Sequence, residues 1–128
     1  MNPTKLLKIY FWSFGLLNIF VISFTVPLIF GNQFLWHPRN PPTEMMMSVI
    51  YFAMGVSMIL CAKNPKAHKS FLDFLILANC FHAIVMAIYS ENIYHILIDT
   101  ISIGLMGIIP LFFYPWGIKN FLKYSPVR

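Results

Sequence analysis

Four apolar stretches, separated by short polar segments, make up most of the chain. They cover residues about 9–30, 44–62, 70–89 and 94–116 of the 128. A helix needs ~20 residues to cross the ~30 Å hydrocarbon core of a bilayer, and each stretch has about that length. The stretches lack the ten-residue alternation of barrel strands, and only helices and closed barrels satisfy the backbone in hydrocarbon. The sequence therefore predicts an all-α fold, an integral membrane four-helix bundle forming one transmembrane domain over residues 1–128.

Prolines and glycines refine this prediction. Pro27 and Pro110 lie inside predicted spans, where a missing N–H interrupts a regular helix. Gly55 and the pair Gly104 and Gly107 lack side chains that would hold two helices apart. We therefore expect kinks at the prolines and close helix contacts at the glycines.

Basic residues predict the orientation in the membrane. With four spans, both termini and the middle loop lie on one side, and Arg39 is the single basic residue on the other side. The first side carries eight: Lys5, Lys8, Lys63, Lys66, Lys69, Lys119, Lys123 and Arg128. Because cytoplasmic loops are enriched in Lys and Arg, we expect both termini in the cytoplasm of a multi-pass cell-membrane protein.

Composition agrees with a membrane environment. The chain is 59% hydrophobic and 10% charged, with a mean hydropathy of +0.71, whereas soluble domains carry about 25% charged residues. This excludes a disordered chain, and two cysteines are too few for a disulfide scaffold. Cys61 and Cys80 are expected at different depths, so we expect no disulfide between them. The net charge of +5 indicates topology and contact with the lipid bilayer, and no feature points to nucleic acid.

Four ionisable residues are expected in the outer half of the membrane, where such side chains are costly and mark candidate sites. His82 lies ~12 Å below the outer end of the third helix, and Asp99 ~7.5 Å below that of the fourth. His95 precedes Asp99 by one turn on the same face. Glu44 opens the second helix from the outer side. Asp73 lies near the cytoplasmic end, where an ion pair with neighbouring lysines is expected.

Several interpretations of this group remain open. One is a metal site for Zn²⁺, Mn²⁺ or non-haem iron, with the ligands Glu44, His82, His95 and Asp99. Another is haem b, held by the imidazoles of His82 and either His95 or His37, with Met86 in the same pocket. A third is a hydrogen-bonded network that only fixes helix packing. A proton relay or a small-ligand pocket is a further alternative.

The leading hypothesis is a small membrane protein that binds a metal ion or haem at this site. The alternative is an accessory or structural subunit of a larger membrane complex with no chemistry of its own, partnered by other membrane subunits or by copies of itself. The chain contains no phosphate-binding loop, no G-x-S-x-G motif and no paired C-x-x-C motif. Its motifs therefore identify no reaction.

Short motifs between Pro41 and Asp99 carry a resemblance to a known group of proteins. These are Pro41-Pro42-x-Glu44, Tyr51-x-x-x-Gly55, Pro65-x-x-His68, His82-Ala83-x-x-Met86 and His95-x-x-x-Asp99. Their order resembles an uncharacterised family of small bacterial four-helix integral membrane proteins. The resemblance implies a bacterial inner-membrane location and four spans, and it supplies no activity or catalytic residue. His68 belongs to the pattern but lies in the predicted cytoplasmic loop, away from the outer group.

Overall fold

A computed structural model of the chain describes residues 2–30, 41–90, 93, 95–115 and 117–123. Every regular element in these ranges is helical, and they contain no strand. The all-α class predicted from the sequence is therefore confirmed.

The described residues form five α-helices, extended or joined by π-helical and 3₁₀ segments. The α-helices are α1 (Pro3–Leu16), α2 (Pro41–Cys61), α3 (Lys69–Ile88), α4 (Ile101–Ile108) and α5 (Ile118–Lys123). The π-helical segments are Leu17–Phe30 and His95–Thr100, and the 3₁₀ turns are Pro65–His68 and Ile109–Phe112. The chain divides into two compact units, Lys8–Lys63 and Met1–Leu7 with Asn64–Arg128. The single transmembrane domain stays a prediction.

Two helices within the described residues are long and apolar enough to cross a membrane. They are Pro3–Ser23, with a mean hydropathy of 1.6 over its apolar window, and Pro65–Ile88, with 2.1. Met45–Cys61 and Ile101–Phe112 are apolar but shorter. The first and third predicted spans therefore correspond to helices of spanning length. The four-span topology and the cytoplasmic termini stay predictions.

At Pro110 the α-helical geometry of α4 gives way to the 3₁₀ turn Ile109–Phe112, and the kinks expected at the prolines stay predictions. Pro27 falls within the π-helical segment Leu17–Phe30. A proline removes one backbone donor, so the regular α-helical hydrogen-bond ladder cannot run through either position.

In the unit Lys8–Lys63, two helices cross at a pair of glycines. A methyl group at Gly55 would lie 2.7 Å from the Gly15 carbonyl oxygen, and one at Gly15 would lie 2.8 Å from Ile59 Cγ1. These distances are shorter than van der Waals contact, so both positions need a residue without a side chain. The expectation of close approach at Gly55 is confirmed.

In the other unit, α3 and α4 pack antiparallel. A methyl group at Gly107 would lie 2.8 Å from Cys80 Sγ and 3.1 Å from the Ile76 carbonyl oxygen, whereas one at Gly104 would lie 3.5 Å from Ala83 Cβ. As α4 advances from Gly104 to Gly107, the residue that it meets on α3 moves back from Ala83 to Ile76, so the two helices run in opposite directions. Gly107 is the tight contact, and Gly104 is in ordinary van der Waals contact.

The faces of α3 show what the fold buries. One face, at helical spacing, is buried and consists of Leu72, Leu75, Ile76, Asn79 and Ala83. The opposite face is exposed and consists of Phe74, Leu77, Phe81, Ile84, Val85 and Ile88. The exposed face is apolar from Phe74 to Ile88, while the buried face contains an amide. Apolarity therefore does not distinguish inside from outside on this helix.

Candidate functional site

The residues predicted to form the site are spread over both units. His82 lies on α3, and its side chain is half-buried. The backbone of Glu44 lies in α2, and those of His95 and Asp99 lie in the π-helical segment His95–Thr100. The side chains of these three residues, and the whole of His37, lie outside the described part of the chain. Their roles as ligands stay predictions.

The π-helical segment carries the most closely spaced pair of candidates. In a π-helix the backbone hydrogen bonds join residues five apart, so residues 95 and 99 lie within about one turn of each other. The segment packs against α3, the helix that carries His82. The backbone thus brings two elements with candidate ligands into contact within one unit.

The register between α3 and α4 sets the heights of the candidates within this unit. Gly104 lies opposite Ala83, so Asp99, five residues earlier on the antiparallel helix, is level with about residue 88. His82 is then ~9 Å below Asp99 along the helix axis, at 1.5 Å per residue. The Cα–Cβ bond of His82 also tilts toward the start of α3, away from that level. A single metal ion holds ligand atoms at about 2.0–2.3 Å, so this register favours residues 95 and 99 over His82 as ligands of the same ion.

Met86, the fourth residue of the haem alternative, lies one turn beyond His82 on α3 and is half-buried. By the same register it is level with about Ile101, only two residues from Asp99. The thioether of Met86 is therefore closer in height to the π-helical segment than the imidazole of His82 is.

A second polar cluster, which the sequence analysis did not single out, lies in the unit Lys8–Lys63. Asn18 is fully buried, and its Nδ2 donates a hydrogen bond of 2.7 Å to the Phe14 carbonyl oxygen. Nδ2 also lies 3.8 Å from the Met58 thioether sulfur, while Asn18 Oδ1 has no hydrogen-bond partner within the described residues. The Ser23 hydroxyl lies 2.7 Å from the Asn18 carbonyl oxygen and 3.0 Å from the Ser48 carbonyl oxygen on α2. The signal that could have revealed the cluster is the presence of Asn18 and Ser23 in a span that contains no charged residue.

The other unit contains a comparable buried amide. Asn79 is 3% exposed, and its Nδ2 donates a 2.7 Å hydrogen bond to the Leu75 carbonyl oxygen one turn earlier on α3. This bond pairs one of the two Nδ2 hydrogens within the helix itself. Asn18 and Asn79 thus share one solution for burying an amide: each bonds back to the carbonyl oxygen four residues earlier.

Asp73 and the two cysteines are the remaining candidate groups. Asp73 is half-buried, and its Oδ1 is buried without a hydrogen-bond partner among the described residues. Its expected ion pair with neighbouring lysines stays a prediction. Cys61 is buried and Cys80 half-buried, and both are free thiols, as the sequence predicted. Within the described side chains, no group of three His, Cys, Asp or Glu residues is placed to hold a metal ion.

Comparison with known proteins identifies the family. A family model described as "Family of unknown function (DUF6632)" matches residues 1–113, so the chain belongs to that family. The match confirms the resemblance to an uncharacterised family and covers more of the chain than the motifs between Pro41 and Asp99. No curated protein and no solved structure matches the chain.

Proposed function

We propose that this protein is a four-span integral membrane protein that holds a metal ion or haem in the outer half of the membrane. His95 and Asp99 form the centre of the site, and His82 and Met86 of the same unit are the candidates for the remaining contacts. The observation that carries this proposal is the packing of the π-helical segment His95–Thr100 against α3.

The distribution of apolar side chains supports the membrane location. Large apolar residues are exposed along α3, including Phe81 at 63% and Ile88 at 69%, while Asn18 and Asn79 are buried. A soluble monomer rarely exposes contiguous apolar patches of more than a few hundred Å². In a bilayer the same face is stable because lipid tails surround it, and buried polar groups bond inside the helix pairs.

The chemistry of the residues supports the site. A His and an Asp spaced by four residues suit Zn²⁺, Mn²⁺ or iron, because imidazole and carboxylate are both ligands of these ions. An ionisable residue in a membrane span is costly, and this cost is commonly offset by function. The register of α3 and α4 further predicts that His82 is less important for a single ion than Asp99.

The test is the metal content of the protein purified in mild detergent without chelator. Plasma mass spectrometry measures bound metal, and a visible spectrum of the same sample separates haem from non-haem metal. We expect His95→Ala and Asp99→Ala to lose the bound group while still inserting, and His82→Ala to retain more of it. His68→Ala is the matched control, because His68 is an exposed histidine in the 3₁₀ turn Pro65–His68. A metal-free and haem-free wild-type protein would overturn the proposal.

A second candidate function is that of an accessory subunit of a larger membrane complex. The exposed apolar face of α3, from Phe74 to Ile88, favours it because another transmembrane helix packs on such a face as readily as lipid does. Under this alternative, the protein migrates on a native gel with other subunits or with copies of itself. Phe81→Ala then weakens the association and leaves the metal content unchanged.

A further inference from the structure

The last described helix, α5, follows a sharp turn at a glycine. Gly117 has a φ of 127°, a backbone conformation that residues with side chains rarely adopt. Its N–H donates a hydrogen bond to the Tyr114 carbonyl oxygen, and a methyl group at Gly117 would meet nothing within 4 Å. The conformation, and not a lack of space, therefore requires glycine here. The turn redirects the chain after the 3₁₀ turn Ile109–Phe112 that ends the preceding helix.

The six residues of α5 have one apolar and one basic face. At 100° per residue, Ile118, Phe121 and Leu122 fall on one side and Lys119 and Lys123 on the other. Ile118 is 48% exposed and Leu122 is 77% exposed, and both lysines are exposed. Much of the apolar face therefore lacks cover from the described part of the chain.

One aromatic contact anchors α5 to the rest of its unit. The Phe121 ring meets the ring of the fully buried Tyr114 edge to face, with centroids 5.1 Å apart and planes at 84°. Edge-to-face pairs of this kind are favourable beyond the area that they bury. The contact fixes Phe121 inward, while Leu122, the next residue, points elsewhere and remains exposed.

The basic face of α5 lies at the end of the unit that carries other lysines. The 3₁₀ turn Ile109–Phe112 packs against both α3 and α5. Since α4 runs antiparallel to α3, its end lies beside the start of α3, where Lys66 and Lys69 are found. This end is the one that the basic residues predict to be cytoplasmic.

We propose that α5 lies in the plane of the cytoplasmic membrane surface and binds anionic phospholipid headgroups. Leu122 and Ile118 enter the boundary between headgroups and acyl chains, and Lys119 and Lys123 contact the phosphates. Charge complementarity argues for this occupant, because basic residues beside a membrane span are attracted to anionic lipids. An amphipathic helix with an apolar face and a lysine-bearing face is the structure that binds at such an interface. The inference rests on membrane insertion but not on the metal site.

The experiment measures the depth of α5 in reconstituted vesicles. In a chain whose Cys61 and Cys80 are replaced by alanine, Leu122→Cys and Asn120→Cys each carry an environment-sensitive fluorophore. Lipids brominated near the headgroup should quench the label at position 122 several-fold more than the label at position 120, which lies on the basic side. Added phosphatidylglycerol should increase the quenching at 122 relative to phosphatidylcholine alone.

Charge variants test the headgroup contact. Lys119→Gln and Lys123→Gln should each lower the preference of the position-122 label for brominated phosphatidylglycerol over phosphatidylcholine by about fivefold. The matched Lys→Arg variants keep the charge and should retain the preference. An undiminished preference in the double Gln variant would overturn the headgroup contact.

The outcomes separate this inference from the membrane proposal. If alkaline carbonate extracts the protein from the vesicles, membrane insertion fails and the inference fails with it. If the protein resists extraction but positions 120 and 122 are quenched equally, only the inference fails. A label at 122 that is shielded from an aqueous quencher yet unaffected by brominated lipid would indicate a protein occupant and would also overturn it.

Discussion

Replacing Gly55 with alanine tests whether the helix crossing at Gly15 determines the stability of the unit Lys8–Lys63. The added methyl group would lie 2.7 Å from the Gly15 carbonyl oxygen, 2.8 Å from Ile19 Cγ1 and 3.0 Å from Asn18 Cβ. Non-bonded heavy atoms prefer about 3.5–4.0 Å. The Ile19 side chain can rotate, but the carbonyl of Gly15 belongs to a helix backbone and moves only if the helices separate.

The expected magnitude is the difference of two effects. Overpacking a well-packed contact costs about 1–3 kcal/mol, while alanine in a helix interior gains up to about 1 kcal/mol over glycine. With the full alanine gain subtracted, we expect Gly55→Ala to lower the free energy of unfolding by about 0–2 kcal/mol. Gly107→Ala should behave similarly, because its methyl would lie 3.0 Å from the Cys80 backbone nitrogen.

The assay is reversible unfolding of the purified protein in mixed micelles by increasing dodecyl sulfate, followed by far-ultraviolet circular dichroism. Gly104→Ala is the matched control, because its methyl would lie 3.5 Å from Ala83 Cβ, which is ordinary contact. The control should be as stable as the wild type or up to about 1 kcal/mol more stable. If Gly55→Ala were as stable as Gly104→Ala, the crossing would not depend on the missing side chain.

Two further substitutions test the buried polar groups by the same unfolding assay. Ser23→Ala should lower the free energy of unfolding by about 1 kcal/mol, because it removes the hydroxyl shared between two carbonyl oxygens, one of them at Ser48 on α2. The control Ser57→Ala should be nearly neutral, because the Ser57 hydroxyl bonds to its own helix. Equal effects of the two substitutions would refute an interhelical role for Ser23. Asn18→Leu should give a free energy of unfolding about 1 kcal/mol higher than Asn79→Leu does, because among the described residues only Asn18 has a buried amide oxygen that lacks a hydrogen-bond partner. An Asn18→Leu variant less stable than Asn79→Leu would show that this oxygen has a partner.

The sequence predicts the helices well because their signal is local. The third span was expected at 70–89, and α3 covers Lys69–Ile88. The interruption at Pro110 also follows from a local cause, the missing N–H. Close contact at Gly55 and Gly107 was predictable because small residues are the commonest means of bringing membrane helices together.

The rotation and register of the helices were not predictable from the sequence. The apolar residues on both faces of α3 give no hydrophobic stripe that identifies the buried side. The height of Asp99 above His82 along the helix axes is ~4.5 Å when both are counted from the predicted outer helix ends. The contact of Gly104 with Ala83 instead gives a height difference of ~9 Å. The difference arises because counting assumes that both helices end at the same height. The contacts of small residues along the helices fix the register independently of those ends.

One open alternative is that the polar residues of the predicted site form only a hydrogen-bonded network that fixes helix packing. In both units the tightest contacts are made by glycines, and the buried amides of Asn18 and Asn79 bond to their own helices. None of these glycine and amide contacts is made with a His, Asp or Glu side chain, and His82 lies at the edge of the buried face of α3. His82 itself makes an interaction in the structure, which fits a packing network as well as a binding site. The metal measurement separates the two: a binding site predicts bound metal or haem that Asp99→Ala loses, whereas a packing network predicts a wild-type protein without either.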